Sequence, residues 1–372
     1  MTPLEIFLVA VPGLEQPVAE EAAEHRFAGV TVQPGGVVVA GGWDEVMRAN
    51  LVLRGPSRVL VRVGSFRAMH LAQLDKRMRK FPWDQILRPD VPVKVDASCH
   101  ASRIYHAGAV VSRVARAIHE ELGAPIATDP KAEGPVSVKI RIDDDLCTIS
   151  VDSSGESLHK RGHKAQVNKA PMRENMAAMF LRLCGYDGRE TVVDPMCGSG
   201  TFVIEAAEVA AGLLPGRSRG FAFEKLANFD ATGWAALRRP PAPRETPLRF
   251  HGSDRDDGAV AMSRANAARA GVDGLCTFRA AAVSDLTPPE GPPGLVIVNP
   301  PYGTRIGERK PLFALYGALG RTLTERFAGW RVGLIATDAG LAQSTGLPFL
   351  PPGPPVSHGG LKVTLYRTAP LP

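Results

Sequence analysis

The 372-residue sequence is poor in cysteine, and its five thiols, Cys99, Cys147, Cys184, Cys197 and Cys276, show no CxxC spacing. That scatter argues against a disulfide framework and a structural zinc site, and it points to a reducing cytoplasm. No apolar run approaches the ~20 residues that a membrane span needs. The start, Met1-Thr-Pro-Leu-Glu-Ile-Phe-Leu-Val-Ala, lacks a basic n-region and reads as a strand rather than a signal peptide. What remains is 44% hydrophobic and 22% charged, the composition of a globular chain of two or three domains, expected to be a monomer.

Charge comes in blocks. The net charge of +6 permits a nucleic-acid partner without requiring one. Residues 1–53 hold two basic and seven acidic side chains, residues 54–116 thirteen basic and four acidic, and residues 160–173 five basic and no acid. Two basic islands in acidic surroundings read as a phosphate footprint, or as ordinary solvated faces.

Two stretches carry the chemistry. In Thr191-Val-Val-Asp-Pro-Met-Cys-Gly-Ser-Gly-Thr201, the β-branched run predicts a buried parallel strand over Thr191–Val193. Gly198 and Gly200 predict a tight turn, and Phe202–Ala211 a helix. Strand, glycine turn and helix let a ligand approach bare backbone at the positive end of a helix. The third spaced glycine of a dinucleotide motif is missing. Asp194 at the strand end would repel a pyrophosphate but suits an ammonium cation, so S-adenosylmethionine fits better than NAD.

The second stretch is Gly294-Leu-Val-Ile-Val-Asn-Pro-Pro-Tyr-Gly303, a buried strand ending in Asn-Pro-Pro-Tyr. Pro300 and Pro301 fix the backbone and remove two N–H donors. Carbonyls and the Asn299 amide oxygen remain as acceptors beside the Tyr302 ring. Such a site suits a planar base bearing an exocyclic amine. Each stretch alone also fits an ordinary turn after a strand. Together they resemble the class I S-adenosylmethionine-dependent methyltransferases that act on exocyclic amino nitrogens.

Around these stretches the chain alternates. Residues 1–57 read as a ferredoxin-like α+β unit. Residues 58–156 give a basic helix, the segment Ser98-Cys-His-Ala-Ser-Arg-Ile-Tyr-His-Ala-Gly108, a helix striped by Val110, Val114 and Ile118, and two strands flanking Asp143-Asp-Asp145. His100 and His106 lack neighbours at metal-ligand spacing, and no metal is expected. The strand Leu248–Gly252 leads to Asp254, placed where an acid meets ribose hydroxyls, with Arg255 beside it; Asp256 is the alternative, or a helix cap. The helix Gly258–Ala270 is expected to turn Val260, Ala261, Ala265 and Ala268 inward. Strands Trp330–Thr337 and Leu361–Thr368, joined by the Pro-Gly-rich 346–360 stretch, close the sheet as an antiparallel edge.

The segment around Ser102-Arg103-Ile104 resembles the THUMP RNA-binding domain. Leu158-His-Lys-Arg-Gly-His-Lys164 and Ala170-Pro-Met-Arg-Glu-Asn175, just before Asp194-Pro-Met-Cys-Gly-Ser-Gly-Thr201, are similar to the THUMP-containing guanine-N2 RNA methyltransferases. Within that family the pattern is most similar to 23S rRNA enzymes, then to tRNA enzymes; it runs on through Arg305-Ile306-Gly307. The resemblance implies a Rossmann-like class I methyltransferase domain with a mostly parallel seven-stranded sheet over residues 157–372, preceded by ferredoxin-like and THUMP domains. It implies S-adenosyl-L-methionine as cofactor and RNA as partner, with no membrane.

Carried over residue by residue, the resemblance places Arg161, Gly162 and Pro171 near the cofactor. Asp194, Pro195, Cys197, Gly198, Ser199, Gly200 and Thr201 would form the cofactor loop. Cys197 packs rather than acting as a nucleophile, because the sulfonium carbon needs no covalent intermediate. Related enzymes hold the adenine amine with an acid after the third strand; Ala282 stands there, and Asp285 is the nearest acid. Asn299 would border the cofactor and, with the Pro300 carbonyl, hold the guanine amine, and Tyr302 would stack on the base. DNA adenine-N6 or protein glutamine methylation, and a non-catalytic RNA-binding factor, are the competing readings; the THUMP-like region argues against the first two and the intact Asn299–Tyr302 against the last.

Overall fold

A computed structural model describes residues 3–128, 134–164, 172–239, 242–302 and 309–372. The chain forms two units. One holds residues up to Ala10, Ala19–Leu158 and Arg219–Arg239; the other holds Val11–Val18, His159–Ser218 and Pro240–Pro372.

The first unit is built on β1 (Leu4–Val9), α1 (Glu15–Glu24, in which a unit boundary falls), β2 (Ala28–Gln33), β3 (Gly36–Gly41), α2 (Trp43–Val52) and β4 (Arg58–Arg67). Ile6, Leu8, Val37, Val39, Val59 and Val61 alternate along three strands and are fully buried, the period-2 pattern of a half-covered sheet. The strands pair antiparallel in the ferredoxin-like order β2-β3-β1-β4. Next come α3 (Leu71–Arg79), β5 (Val93–His100), α4 (Ala107–Leu122), β6 (Val136–Asp143) and β7 (Leu146–Asp152). Strand β4 pairs with β7 on its other side, so one seven-stranded sheet runs β2-β3-β1-β4-β7-β6-β5. The expected boundary at 57/58 therefore falls at the start of a strand shared by both halves.

The β6–β7 hairpin closes on two residues, Asp144 and Asp145, both at positive φ (49° and 58°), as a type I′ turn requires. On α4, Val110, Val114 and Ile118 are fully buried, matching the sequence stripe. Residues 219–239, which the sequence reading assigns to the methyltransferase part, cluster instead with this unit. Phe221, Phe223 and Trp234 form an aromatic cluster there, and the Phe223 amide donates to the Ser153 carbonyl (3.0 Å). Within that segment lies α7 (Ala231–Leu237), which follows α5 (Glu174–Leu183) and α6 (Thr201–Ala210) of the second unit.

The second unit continues with β8 (Val192–Asp194), before α6, and then β9 (Phe250–Asp254), α8 (Asp257–Ala270), β10 (Cys276–Ala280), β11 (Leu295–Val298), α9 (Arg309–Arg326), β12 (Arg331–Ala336), α10 (Ala339–Gln343), β13 (Val356–His358) and β14 (Leu361–Arg367). All four residues of β11 are fully buried, as a central parallel strand covered on both faces requires. The sheet order is β10-β9-β8-β11-β12-β14-β13. The first five strands run parallel, and β14 lies antiparallel between β12 and β13. Strand β13 falls inside the stretch read from sequence as a Pro-Gly connection.

One helix face differs from expectation. Ala261, Ala265 and Ala268 of α8 are exposed, while Ala259, Val260, Ser263, Asn266, Ala267 and Ala270 are buried. The buried polar pair is hydrogen-bonded to the glycine turn, which offsets its desolvation and rotates the alanines outward. Among the described residues, no helix is long and apolar enough to cross a membrane.

Candidate active site

The candidate side chains after β8, β9 and β11 gather at one sheet edge because parallel strands end together. Val193 is in register with Val296 of β11 on one side and His251 of β9 on the other. The loops after β8, β9 and β11 thus leave the same carboxyl edge. Strand order reverses between β8 and β11, the switch point where open α/β sheets bind ligands.

The turn after β8 is fixed by backbone. The Cys197 amide donates to the Ser253 carbonyl (2.9 Å), and the Gly200 amide to the Cys197 carbonyl (2.7 Å). Gly198 and Gly200 adopt φ of 54° and 81°. A Cβ on Gly200 would sit 3.0 Å from Ser263 Oγ, so a side chain there crowds α8. Ser263 Oγ donates to the Gly198 carbonyl (2.9 Å), and Asn266 Nδ2 to the Ser199 carbonyl (3.0 Å). Sequence reasoning missed both residues; two polar residues three apart on an alanine-rich helix were the available signal.

Asp194 is 2% exposed and accepts the Met196 amide (3.0 Å). Burial pushes its carboxyl up to about 8, with the Asp254 charge adding to the effect. Among the described residues it forms no ion pair. A buried acid lacking a cation is a receptor for one, so the donor set fits a cofactor bearing positive charge. Asp254 is half-buried, and both its oxygens are engaged: Oδ2 accepts the Gly198 amide (3.0 Å) and Oδ1 the Asp256 amide (3.1 Å). Asp256 caps α8 through Gly258 N (2.8 Å), the capping alternative weighed from sequence. Arg255 is exposed, as is Asp285 at the end of a 3₁₀ turn after β10. Burial raises the Cys197 thiol well above its ordinary range.

Asn299 and Tyr302 are half-buried, Pro300 is buried and Pro301 exposed. The Tyr302 hydroxyl donates to Asn299 Oδ1, and burial lifts that phenol above its usual range. The acceptor expected for a base is thus engaged by the neighbouring ring. Pro171, and Arg305 to Gly307, lie outside the described residues.

A buried ionic floor underlies the turn. Arg161, 2% exposed, pairs with Glu205 of α6 (3.5 Å). So buried, Arg161 takes no part in the phosphate footprint read over residues 160–173. Lys164 Nζ donates to Thr201 Oγ1 (2.9 Å) and the Met172 carbonyl (3.1 Å) and pairs with Glu174 (3.3 Å). His163, Lys164, Glu174, Ser199, Thr201, Glu205 and Asn266 line a cavity of ≈ 10 Å³, about the room of one water molecule. Glu205 and Glu208, buried in an otherwise apolar helix, were the unread signal. Among the described residues, no cluster of three or more His, Cys, Asp or Glu side chains is placed to hold a metal.

Sheet order, glycine turn and Asn-Pro-Pro-Tyr loop define the second unit as a class I methyltransferase fold. Residues 161–346 match the RMKL-like methyltransferase domain, and the chain belongs to that family. Residues 5–60 match the RlmL ferredoxin-like domain. The chain is 33% identical over 362 residues to the ribosomal RNA large subunit methyltransferase K/L of Syntrophotalea carbinolica, covering 93% of this chain and 51% of that one. It therefore spans about half the length of that relative. It is 29% identical to slr0064 of Synechocystis, named as an RNA methyltransferase, over 97% of this chain and 95% of that one. The crystal structure of SMU.472, described as a methyltransferase complexed with SAH, superposes with a TM-score of 0.88 at 26% identity, covering 100% and 99% of the two chains.

Proposed function

We propose that the protein is an S-adenosylmethionine-dependent RNA methyltransferase that transfers a methyl group to the exocyclic N2 of a guanosine, in 23S rRNA. The observation that carries this reading is the juxtaposition of a cation-receptive turn after β8 with the acceptor-rich Asn299–Tyr302 loop after β11, on neighbouring parallel strands. The names of the K/L and slr0064 relatives support RNA as substrate, and the K/L name supports rRNA. The THUMP resemblance of residues 58–156 supports the same partner. A tRNA guanosine is the second reading, because target choice lies in docking rather than in the pocket.

When bound, S-adenosylmethionine supplies the electrophilic methyl group. Asp194 and the turn over Gly198–Gly200 would hold it, and Asp254 and Asp285 would be its ribose and adenine contacts. The guanine N2 lone pair is delocalised and weakly nucleophilic. Asn299 Oδ1 and the Pro300 carbonyl accept its two hydrogens, aim the nitrogen and stabilise the positive charge that develops on it. The base amine takes the acceptor that Tyr302 now engages, and the displaced ring stacks on the base. Removing one such acceptor costs about 10²–10³ in turnover. Asn299→Ala is therefore expected to lose transfer at this level while SAH and RNA still bind. Nucleoside mass spectrometry of rRNA and tRNA from a deletion strain names the product; full rRNA and tRNA N2-methylguanosine in that strain would refute the assignment.

A further inference from the structure

We propose that Tyr105 is a stacking platform for an unpaired RNA nucleotide, presented by a loop that the first unit holds rigid. The inference rests on the RNA methyltransferase reading above and deepens it. Tyr105 is 83% exposed, the most exposed of the large hydrophobic side chains among the described residues. Ile104 beside it is 4% exposed, so the buried residue turns its neighbours Arg103 and Tyr105 outward together.

The loop is fixed by bonds between three segments distant in sequence. The Arg103 amide donates to Asp145 Oδ1 (2.8 Å), the Asp145 amide to Ser102 Oγ (3.0 Å), and Ser102 Oγ to the His100 carbonyl (2.6 Å). The Ala68 amide donates to the Asp145 carbonyl (2.9 Å). Ala101 stands at φ 44°, a conformation an alanine keeps only where its surroundings enforce it. His106 Nδ1 accepts the Ala109 amide (3.0 Å) and ties the far end to α4. A large ring that packs so little, on a loop held this firmly, contributes little to its own fold.

The surroundings select the ligand. Arg103, 70% exposed, brings Nη1 to 3.5 Å from Sδ of Met69, itself 46% exposed, and Nε to 3.9 Å from Asp145 Oδ2, so the loop that carries Tyr105 also presents a thioether and a guanidinium. Helices α3 and α4 run parallel, since Asp75 faces Arg113 and Arg116 while Arg79 faces Glu120 and Glu121. Their first turns therefore share the end that carries Met69 and Tyr105. Lys76 on α3 and Lys80 just past its end are exposed and form no ion pair among the described residues. A flat face flanked by a guanidinium, followed by unpaired ammonium groups, fits a base stacked on the ring with its phosphates tracking the helix. Duplex pairing hides base faces, so the occupant is single-stranded.

The test measures binding of a fluorescein-labelled single-stranded oligoribonucleotide to the full chain. Tyr105→Ala is expected to weaken binding between about 5- and 100-fold, whereas Tyr105→Phe stays within about twofold of wild type. Tyr105→Trp is expected to keep the affinity, with its emission quenched on binding. An unchanged melting temperature and SAH affinity in Tyr105→Ala establish that the fold is intact. Wild-type affinity in Tyr105→Ala overturns the platform, and so does a loss in Tyr105→Phe equal to that in Tyr105→Ala. Methylation of RNA by wild type with Tyr105→Ala unaffected removes the platform alone, whereas a wild type that neither binds nor methylates RNA removes the functional reading as well.

Discussion

The two basic stretches look alike in sequence and have opposite structural fates. In the first unit most of the arginines between 54 and 116 that form ion pairs meet acids contributed from elsewhere in the chain. Arg58 pairs with Asp152 (2.6 Å), Arg62 with Glu5, Arg67 with Asp144 (3.6 Å), and Arg79 with Glu120 (2.5 Å) and Glu121 (3.1 Å). In the second unit Arg161 and His163 face Glu205 and Glu208, and all four are buried. A local excess of charge is therefore a poor guide to a phosphate footprint. The acids that cancel it arrive through folding, and what can meet a phosphate is the remainder after pairing.

The comparison breaks most sharply at Arg161. Arg161→Met removes a buried guanidinium from the buried Glu205 carboxylate, a change expected to cost about 3–5 kcal/mol in urea unfolding of the second unit. Replacing both, as Arg161→Met with Glu205→Leu, should restore most of the loss. The solvent-accessible counterpart Arg79→Met, with its three acidic partners, should cost far less. Equal losses at the two sites would mean that burial does not separate the islands.

The strands, the glycine turn and the Asn-Pro-Pro-Tyr loop were legible because chain chemistry at a strand end is local. Glycines at positive φ and prolines without donors announce themselves in any context. The inward face of α8 was not legible. Hydrophobic periodicity favours its alanines, while Ser263 and Asn266 are buried by bonds to a turn more than sixty residues upstream. The partners of Arg58, Arg62 and Arg161 were hidden for the same reason, and so was the return of residues 219–239 to the first unit. Strand β13 is only three residues long, and it lies in a stretch whose prolines and glycines dominate any local reading.

A second difference is in titration. Asp194 lies with its carboxyl at about 8, far above the roughly 3.9 of an unfolded chain. The folded form keeps a proton that the unfolded form gives up, so this contribution is complete below about pH 4 and is lost as pH rises toward 8. Ligand-free protein should lose stability across that window, by up to about 1.4 kcal/mol per pH unit from this group, and Asp194→Asn should flatten the slope. A bound cation reverses the sign. S-adenosylmethionine binding at pH 7 should then release up to about one proton, read by calorimetry in buffers of different ionisation enthalpy. Binding without proton release would remove Asp194 as the cation's partner.

The smallest effect sharpens the comparison at the surface of the first unit. If pairing silences most of its arginines, phosphate contacts fall to Lys76 and Lys80, which form no ion pair among the described residues, rather than to Arg62 or Arg88, which hold Glu5 and Asp90. Each phosphate contact contributes roughly 0.7–0.9 to the slope of log affinity against log salt. The double substitution Lys76→Gln with Lys80→Gln should lower that slope for RNA by about 1.5, with little change in melting temperature. Arg62→Gln and Arg88→Gln should leave it unaltered, since a guanidinium already neutralised by a carboxylate releases few counterions. If instead the paired arginines carry the slope and the lysines do not, their acids yield to RNA, and the remainder after pairing is not what the phosphates read.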